Sequence, residues 1–172
     1  MIIRPEREED NREIYNLVKL SFQSAEISNG SEADLVNMLR QGKSYIPDLA
    51  LVAEEDDDKL IGYIMFTKAK VGNKEILALA PLAVLPQYQN RGIGSALINK
   101  GHQKAQDLGY EYSVVLGSEN YYPKFSYVPA INYGIRSPFE VDQKKFMACK
   151  LNDKAEKING LMVYAGEFGI KY

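Results

Sequence analysis

The sequence of 172 residues contains one cysteine, one histidine and no tryptophan. A single cysteine excludes an intramolecular disulfide, and Cys149 together with His102 supplies too few ligands for a structural zinc site. The longest apolar run, Leu77–Leu85, is shorter than the roughly 18 residues that a membrane-spanning helix requires. We therefore expect a fold that depends on neither disulfide nor metal.

Neither basic nor acidic residues predominate in the sequence. The 21 basic and 23 acidic side chains give a net charge of −2, which excludes the broad basic surface of a nucleic-acid-binding protein. Arg4 and Glu6 follow only two apolar residues, so the sequence starts without a signal-peptide core. With 45% hydrophobic and 26% charged residues, the composition is typical of a globular protein. We expect a cytoplasmic protein without membrane or nucleic-acid partners.

Apolar periodicity predicts a strand, two helices, a three-stranded meander, a helix and further strands. The meander is antiparallel, whereas a strand, a crossover helix and a strand form a parallel pair, so we predict an α/β fold with a mixed sheet. We expect one domain over residues 1–172, with a core over about 1–130 and C-terminal strands in 131–172 that extend the sheet. The predicted elements are strands at Ile2–Ile3, Leu49–Glu54, Leu60–Lys70, Glu75–Leu85, Ser113–Leu116, Lys145–Leu151 and Leu161–Phe168, and helices over Asp10–Phe22, Ser31–Gly42 and Gly92–Leu108.

A glycine-rich loop separates the third meander strand from the last helix. Gly92 and Gly94 stand at the start of this helix, where backbone N–H groups are free and the helix dipole favours an anion. Without a Cβ, both residues let an anion approach the backbone, and Arg91 adds a positive charge. The loop therefore predicts phosphate binding. It does not match the dinucleotide fingerprint, because Leu97 replaces the third glycine, and no Gly-Lys-Ser/Thr tripeptide follows.

A proline interrupts the strand before this loop. Pro81 cannot donate a ladder hydrogen bond, so it predicts a bulge that splays the strand from its neighbour. Backbone groups of residues 82–84 would then be free to pair with an extended ligand that carries amides. A long amide-bearing arm that ends in a pyrophosphate is the chemistry of coenzyme A.

Three segments in this order resemble the GNAT superfamily of N-acetyltransferases. Residues 89–94, Gln-Asn-Arg-Gly-Ile-Gly, resemble its Gln/Arg-x-x-Gly-x-Gly/Ala motif, and Leu82–Pro86 matches the preceding strand. Tyr121–Tyr127 is similar to its second marker, Tyr-x-x-x-Gly-Phe, and the doubled tyrosine points to a bacterial subgroup of predicted acetyltransferases. The resemblance implies a mixed, mostly antiparallel sheet with a splayed central strand pair flanked by helices.

The resemblance also implies the reaction and the cosubstrate. The family transfers the acetyl group of acetyl-CoA to an amine. Because Cys149 is most simply a small buried hydrophobe, we expect direct attack in a ternary complex and no covalent acyl-cysteine, and we expect no metal. The backbone of Leu82, Ala83 and Val84 is expected to face the pantetheine arm, and one N–H near Leu82 to polarise the thioester carbonyl. The loop residues expected to shape the site or to bind phosphate are Gln89, Asn90, Arg91, Gly92, Ile93, Gly94 and Ser95.

Tyr122 aligns with the family tyrosine that protonates the departing thiolate. Neighbouring helical residues point about 100° apart, so we assign Tyr122 to catalysis and Tyr121 to packing. Two features depart from the family. The segment 77–85 lacks the glutamate that often acts as general base, with Glu75 too far back to replace it, and Ser126 stands where the family usually has glycine.

The acceptor is a small-molecule or peptide amine of unknown identity. Glu26 and Glu32 flank the loop that forms an acceptor wall in this family, and they are candidates for attracting a cationic amine. The Pro129–Phe139 stretch and the late strands are candidates for pairing with a second copy, which would form a homodimer. Two other functions stay open: an acyl-CoA-binding sensor or interaction module without turnover, which the missing carboxylate favours, and a nucleotide-binding protein.

Overall fold

The computed structural model describes residues 1–25 and 28–172. Within these residues the chain forms three α-helices and nine β-strands. The helices are α1 (Asn11–Phe22), α2 (Glu32–Gln41) and α3 (Ile93–Asp107). The strands are β1 (Ile2–Pro5), β2 (Tyr45–Glu54), β3 (Leu60–Val71), β4 (Lys74–Val84), β5 (Tyr112–Leu116), β6 (Val128–Pro129), β7 (Ile135–Arg136), β8 (Phe146–Lys150) and β9 (Gly160–Val163).

The main sheet has the strand order β1-β2-β3-β4-β5-β8-β6. Neighbours along this path are antiparallel except β4 and β5, which are parallel because α3 connects them. This confirms the mixed α/β sheet. β8 pairs with the whole of β5 and extends the sheet as predicted, whereas β9 pairs with the end of β3 and with β7 instead of lengthening the sheet at its edge.

The helices cover both faces of the sheet. A Cβ at Gly62 of β3 would lie 2.9 Å from Leu97 and 3.0 Å from Ile93, so this face of the strand packs directly on α3. The next residue, Tyr63, instead reaches a cluster that includes Arg40 of α2. Because successive strand residues point to opposite faces, α2 and α3 lie on opposite sides of the sheet.

Two predicted strands differ from the observed bounds by four residues or more. β2 begins at Tyr45, four residues before the predicted start, because an irregularity in its pairing between Tyr45 and Ala50 accommodates Pro47. β9 ends at Val163, because the chain turns into a 3₁₀ segment at Gly166–Phe168 that ends on the left-handed Gly169. A proline within β2 and glycines after β9 therefore account for the two differences in bounds.

Most of the buried face predicted for α3 is confirmed. Ile93, Leu97, Gly101 and Ala105 are buried, whereas Leu108 is 47% exposed because the helix ends one residue before it. Gly101 is the point of closest approach, since a Cβ there would collide with the ring of Phe66 in β3. This close packing fixes α3, and hence its N-terminus, against the sheet.

Candidate active site

The sheet opens between its two parallel strands. β4 pairs with β5 only from Leu77 to Leu79 and then follows β3 alone as far as Val84. In the β3–β4 ladder Ile64 faces Leu82 and Phe66 faces Leu79, so β4 contains one extra residue in this stretch, which includes Pro81. The bulge and the splayed strand pair predicted from Pro81 are confirmed, and they leave a gap beside the C-terminal part of β4.

The hydrogen-bonding pattern decides which backbone groups face this gap. Leu85 N donates to Ile61 O at 3.0 Å, so Leu85 is in a hydrogen-bonded pair with β3. By alternation Ala83 is also bonded to β3, whereas Leu82 and Val84 direct their N–H and C=O groups away from it. Val84 O accepts a hydrogen bond from Gln89 Nε2 at 3.1 Å. Leu82 and Val84 thus supply the backbone groups on this side of the gap.

The loop after β4 brings the start of α3 to the same place. Asn90 and Gly92 adopt left-handed conformations, with φ of 61° and 83°, and turn the chain sharply into the helix. The first intrahelical bond runs from Ala96 N to Gly92 O at 3.0 Å, and no side chain caps the helix. The N–H groups of residues 92–95 therefore have no partner within the helix, and they carry its positive dipole end.

A cleft of about 570 Å³ joins these features. Tyr121 and Lys124, which come from the segment after β5, close the cleft opposite the loop. Arg91 is exposed, and its guanidinium carbon lies 5.3 Å from the centre of the Tyr88 ring. The residues that line the cleft are Leu82, Val84, Tyr88, Gln89, Asn90, Gly92, Ile93, Gly94, Ser95, Tyr121 and Lys124. Most residues predicted to contact the cosubstrate thus surround one cavity; Ala83 and Arg91 lie outside its lining.

Tyr121 contacts the helix through Gly94. A Cβ at Gly94 would lie 2.7 Å from the Tyr121 hydroxyl, so only glycine leaves room for this tyrosine over the first turn of α3. Tyr121 also packs against the core, as expected, but no sequence pattern indicates that it forms a wall of the cleft. A glycine at the second position of a helix indicates contact with an aromatic residue only when the two elements are already known to be neighbours.

Tyr122 lies just beyond the end of β5 and is not among the residues that line the cleft. Its ring packs on Gly117, and the neighbouring rings of Tyr121 and Tyr127 meet it edge-on at 5.1 and 5.6 Å. Burial raises the pKa of the Tyr122 phenol well above its ordinary value, and Tyr121 adds to this shift. Tyr122 therefore keeps its proton at neutral pH and can act as a donor.

The lone histidine and the lone cysteine both serve packing, as expected. His102 Nε2 lies 3.0 Å from the hydroxyl of the fully buried Tyr127, and burial lowers the pKa of the imidazole to about 4. Tyr127 also shares a hydrogen bond of 2.9 Å with Ser113 of β5. Burial raises the pKa of the Cys149 thiol to about 11, so this thiol is not a nucleophile at neutral pH.

The sequence reasoning missed a buried carboxylate. The Glu6 side chain is 3% exposed and accepts hydrogen bonds from the Arg40 guanidinium, from Tyr45 at 2.6 Å and from Tyr63 at 2.9 Å. Its partners lie 34 to 57 positions away along the chain, so no local pattern indicates this cluster. Glu75, by contrast, lies at the start of β4 and pairs with the hydroxyl of Tyr110 at 3.2 Å.

A second cleft, of about 640 Å³, lies between α1 and α2. Leu20 and Phe22 give it apolar walls, and Lys19 and Glu32 give it one charge of each sign. Of the two predicted acceptor-binding residues, Glu32 lines this cleft, and Glu26 lies outside the described residues. In the described ranges, no cluster of three potential metal ligands and no helix suited to crossing a membrane is found.

Comparison with known proteins agrees with this geometry. The sequence profile of the acetyltransferase (GNAT) family matches residues 11–127. The uncharacterized N-acetyltransferase YhbS of Escherichia coli strain K12 is 30% identical over 171 residues, which are 98% of each chain. The crystal structure of E. coli YhbS in complex with CoA has a TM-score of 0.88 to this chain, with 98% of this chain and 91% of that chain covered.

A GNAT family acetyltransferase from Brucella melitensis, solved in complex with acetyl-CoA, is also similar. It has a TM-score of 0.80 and 30% identity, and 97% of both chains is covered. The family profile covers most of the chain, and these relatives match it almost from end to end. The protein therefore belongs to the GNAT family of acetyltransferases.

Proposed function

We propose that this protein transfers the acetyl group of acetyl-CoA to a primary amine by direct attack in a ternary complex. One observation carries the proposal: the gap between β4 and β5 opens into the cleft that holds the free amides of α3. An elongated ligand with amides in its arm and phosphates at its end requires these two features side by side. The similar Brucella enzyme, which binds acetyl-CoA, supports this assignment.

The residues present fit this cosubstrate. The backbone groups of Leu82 and the N–H of Val84 are free to pair with the pantetheine amides, and the N–H groups of residues 92–95 would bind the pyrophosphate. Nothing lies within 4 Å of the position of a Cβ at Gly92, so a phosphate can approach the backbone there. Gln89 shapes the loop through its hydrogen bond to Val84, and Asn90 does so through its left-handed turn.

Negative charge develops at two atoms during the reaction, on the thioester carbonyl oxygen and on the sulfur, and each charge must be stabilised. The amine nitrogen forms a bond to the acetyl carbon, and the C–S bond then breaks, with the electron pair leaving on sulfur. The N–H of Leu82, which points away from β3, is the proposed group that polarises the thioester carbonyl, an interaction worth about 3 kcal/mol. Tyr122, which stays protonated, is the proposed donor of a proton to the thiolate.

The amine must also lose a proton. Segment 77–85 contains no carboxylate, and Glu6 is already saturated by Arg40, Tyr45 and Tyr63. We propose that the amine attacks in its neutral form and releases its proton to water after the bond forms. Glu32 in the cleft between α1 and α2, together with Glu26, is the proposed contact for an acceptor that arrives as a cation and loses a proton to water before it attacks.

The lack of a carboxylate in segment 77–85 also favours one other function. A protein that binds acyl-CoA as a sensor needs the same cleft but no base. Tyr122 favours the enzyme, because a sensor has no use for a proton donor.

The decisive experiment combines binding with turnover. Calorimetry with acetyl-CoA, CoA, ATP and NAD is expected to show binding of the first two alone, and a panel of amines is expected to include at least one that gives steady thiol release. Tight acetyl-CoA binding without turnover on any amine would support the sensor instead. Binding of ATP or NAD, without binding of CoA at millimolar concentration, would overturn both functions.

A further inference from the structure

Lys124 is the basic residue among those that line the cleft at α3. Its ammonium nitrogen lies 4.6 Å from the centre of the Tyr121 ring. Tyr121 itself lies over the first turn of α3, where Gly94 has no side chain to exclude it. A cation above an aromatic face is weakly attracted, so the side chain is placed without being neutralised. The wall opposite the loop therefore carries a positioned positive charge.

Two cations outside the lining of the cleft, Lys59 and Arg91, share one feature with Lys124. Lys59 and Arg91 both lie 5.3 Å from the centre of the Tyr88 ring, as Lys124 lies near that of Tyr121. In the part of the chain that the structure describes, none of the three is within ion-pair distance of a carboxylate. Cations held by tyrosines and left without acidic partners are available to an anionic ligand.

The proposed cosubstrate carries more negative charge than the α3 amides can balance. The amides of residues 92–95 donate hydrogen bonds but have no net charge, and they account for the pyrophosphate. CoA also carries a 3′-phosphate on its ribose, a monoester with a charge of about −1.5 to −2 at pH 7. A lysine is a compact cation suited to such a group.

We propose that Lys124, placed by Tyr121, binds the 3′-phosphate of the cosubstrate and makes the enzyme selective for CoA over 3′-dephospho-CoA. This inference rests on the proposed function, because it concerns the same cleft. It assigns a specificity-determining residue that the phosphate-binding loop does not include. Lys124 is exposed and lies outside the core, so its replacement leaves the fold intact.

The test measures dissociation constants of CoA and 3′-dephospho-CoA for the wild type, Lys124→Gln, Lys124→Arg and the control Lys144→Gln. Lys144 is an exposed residue of the loop before β8 and makes the same change of charge away from the cleft. We expect the wild type to prefer CoA about tenfold or more, Lys124→Gln to lose most of this preference, and the other two variants to keep it. The wild-type preference is expected to shrink with added salt.

The outcomes separate the two proposals. If the wild type binds neither ligand, the proposed function itself fails. If Lys124→Gln binds CoA but keeps the wild-type preference, or weakens both ligands equally, Lys124 does not read the 3′-phosphate and the inference is overturned. If Lys144→Gln also lost the preference for CoA, the effect would come from the overall charge of the protein, and this result would overturn the inference too.

Discussion

The ring of Tyr122 meets the ring of Tyr127 edge-on, with centroids 5.6 Å apart and planes at 78°. Tyr127 is itself fixed, since its hydroxyl bonds to His102 on α3 and to Ser113 on β5. The proposed proton donor therefore rests on a residue that is tied to both the helix and the strand beside the gap. Packing holds the Tyr122 ring in place, and the proposed proton donation depends on its hydroxyl alone.

Tyr122→Phe separates these two contributions. The variant keeps the ring and its edge-on contact but removes the hydroxyl, so the fold and acetyl-CoA affinity should persist while kcat falls about 10²- to 10⁴-fold. Calorimetry and steady-state thiol release measure the two effects. Tyr133→Phe is the control. Tyr133 lies in the C-terminal part of the chain and packs on Tyr112 of β5, so its replacement should leave turnover at the wild-type level. Unchanged turnover in Tyr122→Phe would remove Tyr122 from the mechanism.

Gly94→Ala tests the contact between α3 and Tyr121. The added methyl group would lie 2.7 Å from the Tyr121 hydroxyl and would have to displace it, which narrows the cleft at the free amides. We expect acetyl-CoA affinity to fall about tenfold, with a cost in stability of about 1 kcal/mol or less, because one side chain at the surface can move. Calorimetry and thermal unfolding measure the two quantities.

The double variant Gly94→Ala with Tyr121→Phe supplies the control. Removing the hydroxyl removes the atom that the methyl group meets first, so part of the lost affinity should return. If the double variant binds no better than Gly94→Ala alone, the methyl group acts on the phosphate site directly and Tyr121 is not the displaced group.

The sequence was sufficient for the parts of the site that depend on local backbone rules. Pro81 had to interrupt a ladder, and Gly92, which has no Cβ, had to leave the backbone open to an anion; both requirements follow from the residue alone. The orientation of Tyr121 and Tyr122 did not follow, because neighbouring positions on a short turn have the same local preferences. Their roles depend on Gly94 and Gly117, which contact them only in the folded chain.

The same distinction explains the fold. Periodic apolar residues located β3, β4 and α3, whereas the position of β9 beside the end of β3 depends on pairing between distant segments, which no periodicity encodes.

Glu6→Gln tests the buried cluster that joins the segment after β1 to α2. The substitution leaves the charge of Arg40, whose side chain is 14% exposed, without its partner. Breaking a buried ion pair in this way costs about 3 to 5 kcal/mol. Urea denaturation should show this loss, and Glu9→Gln, at a side chain that is 76% exposed, should cost less than about 0.5 kcal/mol. Equal losses in the two variants would mean that the Glu6 cluster contributes no special stability.

His102 should make the stability of the protein depend on pH in the acidic range. Its pKa falls from an ordinary value of 6.5 to about 4 in the fold, because burial disfavours the imidazolium. Between these values the unfolded chain binds a proton that the native state does not, so lowering the pH through this window favours unfolding. The loss is complete near pH 4, and it is on the order of 1 to 3 kcal/mol.

His102→Gln isolates this contribution. Glutamine can still hydrogen-bond to Tyr127 but does not titrate, and the carboxylates titrate alike in both proteins. The free energy of unfolding of the wild type minus that of the variant, measured in urea between pH 4 and 7, should therefore decrease steadily as the pH falls. A difference that stays constant over this range would show that the His102 imidazole is as easily protonated in the fold as in the unfolded chain, and that its contact with Tyr127 does not exclude the charged form.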